Sequence, residues 1–218
     1  MTVSLCILPV PTLPQDRTAV SSAILSLPFG KEDADRLLAM SNLPALAERL
    51  AARRALATLL EQEGLPPRPM FRTPTGKPYF EGESSPAFSL SHTKSLAVAA
   101  LSPSSTPIGV DIEAYQGTRN TDALASRYFT RDEYERWKAS PTPHEEFFRI
   151  WTEKEAQAKN HGEGLARILS SEEPTKASLR SFRICRGKDQ FVLTLCTPTP
   201  ITDLVWHTES EEFDIQEL

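Results

Sequence analysis

Four residues in this chain have the types and spacings of phosphoryl or metal chemistry. Glu155 and Lys159 lie four apart within residues 144–165, HEEFFRIWTEKEAQAKNHGEGL, so on a helix they share a face. An isolated pair of this kind is ordinarily a solvated ion pair. Here Phe147, Trp151 and Ala158 fall on an adjoining stripe at helical spacing, a stripe that should face a core. The pair therefore borders bulky apolar residues. Asp111 and Glu113 lie two apart in the run IGVDIE at 108–113. A strand there points Val110 and Ile112 one way and both carboxylates the other. Carboxylates so placed are roughly 6.5–7 Å apart at the backbone and can converge on one hard cation. Mg²⁺ takes one or two carboxylates together with waters and substrate phosphates. Glu155 joins that set only if its helix packs beside the strand.

The elements that must position these residues can be read in order. Residues 3–10 predict a strand, 17–27 and 31–40 two helices, and 43–64 a long Ala/Leu-rich helix ending at Gly64 and the prolines beyond. A Pro/Arg-rich loop follows. FSLS (88–91), LAVAAL (96–101) and IGVDI (108–112), separated by turn residues, predict a short antiparallel meander. Helices near 121–127, at 131–139 and at 144–160 come next, then strands at 182–186, 191–195 and 204–208. The element order thus repeats. LPFGKEDADRLLA at 27–39 also aligns with RYFTRDEYERWKA at 127–139, with Phe29/Phe129, Arg36/Arg136 and Ala39/Ala139 identical. The expected fold is α+β: two similar halves, 1–105 and 106–218, each a small antiparallel sheet packed on a long helix.

Composition bounds the rest. With 218 residues, 39% hydrophobic and 24% charged, the chain can bury a substantial core. A net charge of −5 argues against nucleic acid as a partner. Three cysteines, Cys6, Cys185 and Cys196, form no CxxC or Cys/His cluster, which disfavours a disulfide framework or zinc and suits a reducing, cytoplasmic setting. Pro9, Pro11 and Pro14 interrupt the N-terminal apolar run, which has no basic segment before it. No apolar run is long enough to span a bilayer.

GVDIE at 109–113 and WTEKEAQAK at 151–159 resemble the two signature motifs of the 4′-phosphopantetheinyl transferases. GKP at 76–78 and FSLSH at 88–92 resemble two further motifs of the Sfp-type branch, and all four stand in that family's order. The resemblance implies a pseudo-dimer with its active site between the halves, working as a monomer. It implies transfer of phosphopantetheine from coenzyme A to a serine of an acyl or peptidyl carrier protein, with release of 3′,5′-ADP. Asp111, Glu113 and Glu155 become the metal set for Mg²⁺, or Mn²⁺. Glu155 either completes that shell or deprotonates the serine. Lys159 reaches the pyrophosphate, Ser91 and His92 contact coenzyme A phosphates, and Lys77 lies near the nucleotide, with Gly76 and Pro78 shaping its loop. Arg49 is matched to the arginine of the first long helix, with Arg53 and Arg54 nearby. The family's leucine-arginine pair further along reads Leu56-Ala57 here, a departure. Gly162 and Gly164 end the last motif, and Arg127, Tyr128, Phe129 and Arg131 form a basic-aromatic patch at the cleft.

Two other readings share these residues. A Mg²⁺ nuclease would use the same carboxylates but calls for basic surface and leaves GKP and FSLSH unexplained. A module that only binds coenzyme A or a carrier protein has no need of Asp111, Glu113, Glu155 and Lys159 together.

Overall fold

The computed structural model describes residues 1–115, 120–162, 177–208 and 213–218. The first part of the chain runs β1 (Thr2–Pro9), α1 (Arg17–Leu25), α2 (Gly30–Leu38), α3 (Leu43–Gln62), a small hairpin of β2 (Met70–Arg72) and β3 (Pro78–Phe80), then β4 (Ala87–His92) and β5 (Leu96–Ser102). The second runs β6 (Gly109–Ala114), α4 (Thr121–Tyr128), α5 (Arg131–Ala139), α6 (Pro143–His161), β7 (Ser178–Arg186), β8 (Asp189–Thr197), β9 (Asp203–Thr208) and β10 (Phe213–Glu217). The chain is α+β, as expected.

Local chemistry sets the helix ends. Asn42 accepts from the Ala45 amide at the start of α3, and Pro143 opens α6, where an unpaired N–H is not missed. Thr130 and Glu133 form a reciprocal capping box on α5. Gly162 closes α6 in the left-handed conformation, φ 71°, as the sequence predicts. Gly164 lies outside the described residues. Among the described residues no helix is long and apolar enough to cross a membrane.

Two four-stranded sheets form, ordered β4-β5-β1-β9 and β10-β7-β8-β6. The expected meander is therefore only half right. β4 and β5 make a hairpin, but β6 pairs with β8 in the second sheet. Its other edge faces β4, where the hydroxyl of Ser89 accepts from Val110 N at 3.0 Å and that of Ser91 from Ile112 N at 3.4 Å. Side chains replace the backbone ladder there. The faces turned away from the long helices share one core, in which Val3, Leu5 and Ile7 meet Val110, Ile112, Phe191 and Leu193. α3 covers the outer face of the first sheet through Ala55, Leu56 and Leu59. α6 covers the second through Phe147, Phe148 and Ile150. Trp151, expected in the core stripe, is half-buried and edge-on to Tyr128.

The strand order β1-β5-β4 recurs as β6-β8-β7, antiparallel throughout, and among the described residues three helices follow each first strand. Phe29 and Phe129 each precede the middle helix and pack inward. An acid–base pair ties the middle helix to the long one in both places: Asp33–Arg53 at 2.5 Å, both buried, and Glu133–Lys154 at 2.9 Å, with Lys154 buried and Glu133 half-buried. β9 departs from the echo by crossing to the first sheet, parallel to β1.

Candidate active site

β6 approaches α6 closely because position 109 is glycine. A Cβ there would overlap the Ala156 carbonyl oxygen and sit 2.6 Å from the Asn160 amide nitrogen. This contact brings Asp111, two residues on, beneath Lys159, one turn from Ala156. Lys159 Nζ donates to Asp111 Oδ1 at 2.7 Å and to Ser91 Oγ at 2.9 Å. Ser91 Oγ in turn donates to Asp111 Oδ1 at 2.8 Å. Three residues expected from three separate motifs thus form one triangle. Asp111 is 5% exposed, and its second oxygen, Oδ2, is buried without a hydrogen-bond partner. A bare, buried carboxylate oxygen is costly unless something cationic meets it. Glu113 and Glu155 are half-buried on β6 and α6. Among the described residues no three His, Cys, Asp or Glu side chains are drawn together as a metal-binding group.

Beside the triangle opens a cleft of about 270 Å³ between α3, the turn joining β2 to β3, β4 and the end of α6. Its lining includes Arg49, Arg53, Arg72, Lys77, His92 and Lys159 and, among the described residues, no carboxylate. Phe88, Leu90, Pro78 and Ala52 supply apolar wall. The net chain charge of −5 therefore conceals a concentrated positive field, suited to a polyanion with an apolar part.

Lys77 and His92 have distinct anchors. Lys77 Nζ donates to the Asn160 carbonyl at 2.7 Å, and Thr75 Oγ1 to that of Gly162 at 2.6 Å, so the Gly-Lys-Pro turn caps the end of α6. Burial pushes the Lys77 ammonium below its usual range. Gly76, φ 91°, makes the turn possible. His92 Nδ1 lies 3.1 Å from Glu48 Oε2. Burial lowers its pKa; Glu48 opposes that, while Arg49 and Lys159 reinforce it. Arg49 is exposed on the cleft wall, and Arg54, also exposed, does not line it.

Sequence reasoning missed Arg72 and Glu48. Arg72 Nη1 donates to the Gly76 carbonyl at 2.7 Å, and its guanidinium is depressed by burial and then by Arg53. Its signal was available: it stands four residues before Gly76, across a turn. In the basic-aromatic patch, Phe129 packs on Phe147 and Trp137, Arg127 lies over Tyr128, and Arg131 is exposed and paired with Glu135.

Comparison with known proteins agrees with this geometry. A model of the 4′-phosphopantetheinyl transferase superfamily matches residues 107–213. The 4′-phosphopantetheinyl transferase AcpT of Salmonella typhi is 34% identical over 159 residues, 72% of this chain and 77% of that protein. The 4′-phosphopantetheinyl transferase HetI of Nostoc sp. is 37% identical over 102 residues, 43% of either chain. The 4′-phosphopantetheinyl transferase psf-1 of Bacillus pumilus is 37% identical over 98 residues, 44% of this chain and 40% of its own. The match thus spans less than half of the Nostoc and Bacillus proteins and about three quarters of the Salmonella one. With the Asp111–Lys159–Ser91 triangle beside a cationic cleft, and a relative matched over most of both lengths, this chain belongs to the 4′-phosphopantetheinyl transferase superfamily.

Proposed function

We propose that this chain transfers the 4′-phosphopantetheine group of coenzyme A to a serine of an apo acyl or peptidyl carrier protein. One observation carries the reading: Lys159 lines a cationic cleft and also bonds Asp111, whose Oδ2 is buried and unpartnered. Cations along the cleft suit the phosphates of coenzyme A, and the apolar wall suits its adenine.

In the reaction the serine oxygen forms a bond to the β-phosphorus, the bridging P–O bond breaks, and 3′,5′-ADP leaves with the released electron pair. Lys159 neutralises charge developing on the pyrophosphate. Ser91 and Asp111 hold that ammonium in place. Glu155 takes the serine proton, directly or through a water. Lys77, Arg49 and His92 bind the nucleotide end. Asp111, with Glu113 and Glu155, offers oxygen donors to a hard cation, and the unpartnered Oδ2 fits that role. Mg²⁺ held there would neutralise pyrophosphate charge. The reading includes a monomer acting in the cytoplasm.

The test is to incubate the protein with an apo carrier protein, coenzyme A and Mg²⁺, then weigh the carrier by intact mass spectrometry with and without EDTA. The expected result is a gain of one phosphopantetheine that EDTA abolishes. No gain on several carriers, with coenzyme A still bound, would instead support a binding module.

A further inference from the structure

A second cavity, of about 400 Å³, is linked to the cleft through one side-chain pair. It lies between the loop after β1, the start of α3 and the turn joining β4 to β5. Its size is that of a small-molecule site. Val10, Leu13, Leu43 and Pro44 give it apolar walls, and these walls are held apart. Pro11 and Pro44 fix the backbone on either side. The Val10 amide is tied to the Ser95 carbonyl at 2.9 Å, and Leu13 packs into the cluster of Val20, Ile24 and Leu46. The cavity is therefore preformed. Among the described residues its lining carries one carboxylate, Glu48, and one ammonium, the exposed Lys94. Glu48 Oε2 lies 3.1 Å from His92 Nδ1, and His92 lines the cleft. Glu48 makes no other bond among the described residues, so its second oxygen is left for a ligand.

We propose that this cavity binds an apolar α-amino acid, and that its occupation weakens coenzyme A in the cleft; the second clause rests on the transferase reading. A zwitterion matches both charges of the lining. Its ammonium meets Glu48, its carboxylate meets Lys94, and its side chain lies against the apolar walls. An apolar amine would set a second cation beside Lys94, and an apolar acid would set a second anion beside Glu48. The coupling follows from a shared anion. An ammonium on Glu48 loosens the bond to His92, and the imidazole loses the partner that holds it at the cleft wall. By linkage, coenzyme A weakens the amino acid by the same factor.

The test titrates the full-length chain with phenylalanine by calorimetry, first without coenzyme A. Saturable binding at a single site is expected, with phenethylamine and hydrocinnamate, which each lack one charge, at least about tenfold weaker. K94M should weaken phenylalanine by at least about tenfold and leave the coenzyme A affinity within about twofold. Saturating phenylalanine should raise the coenzyme A Kd of the wild type about fivefold, and the same concentration should leave that of K94M unmoved. Absence of saturable binding by phenylalanine and by leucine overturns the site, as does either analogue binding as tightly as phenylalanine. An unchanged coenzyme A affinity in saturating phenylalanine overturns the coupling. A wild-type chain that binds phenylalanine but no coenzyme A upholds the site and overturns the transferase reading.

Discussion

Asn at position 111 would preserve the shape of the side chain and remove its charge, leaving Lys159 without its anion and any cation without an anionic oxygen. D111N is expected to slow transfer by at least about a hundredfold in a mass-spectrometric time course, with a far smaller change in coenzyme A affinity. His92 makes a different prediction. Burial holds its folded pKa below the ordinary value near 6.5. Between the lowered and the ordinary value the unfolded chain binds more protons than the folded one, so stability rises with pH through that window and is lost as pH falls through it. Melting temperatures recorded from pH 5 to 8 should show this slope, and H92N should flatten it. At this scale the sequence was most readable where two residues sit on one element. The places of Asp111 on a strand and Lys159 on a helix follow from periods of two and of about 3.6. Glu48 was hidden because its partner His92 comes from another element, and Arg72, although it bonds locally to Gly76, takes its place through a turn that caps α6, which no spacing within a helix reveals.

Elements announced themselves through their caps and breakers. Asn42, Thr130 and Gly162 fix helix ends by local bonds and Pro143 opens α6, so the helices lie close to where the sequence placed them. Strand partners were less readable. β6 has the alternation of a meander strand, yet it pairs with β8, because pairing depends on which distant edge remains open. Gly109 is the element-scale determinant of the site. G109A must push β6 from α6, and the overpacking should cost about 1–3 kcal/mol, seen as a lower midpoint in chemical denaturation followed by circular dichroism. Transfer activity should fall more than the fraction unfolded explains, since the same displacement separates Asp111 from Lys159.

For the whole molecule we propose that the chain is an internal duplication with its boundary in residues 102–107, a reading supported by the repeated strand order and the paired acid–base ties. The halves are not self-sufficient. β9 completes the first sheet beside β1, and the central core draws residues from both sheets. Residues 1–105 expressed alone should therefore show no cooperative thermal transition, whereas a sharp transition would show that the first half folds independently. The alternating serines of β4 have one more consequence. If β4 shifted by a single residue, Phe88 and Leu90 would take the places of Ser89 and Ser91, and the Val110 and Ile112 amides would be left unpaired in a dry interior. The two hydroxyls thus act as a ratchet tooth during folding. They admit one alignment of the sheets, and it is the alignment that sets Ser91 against Asp111.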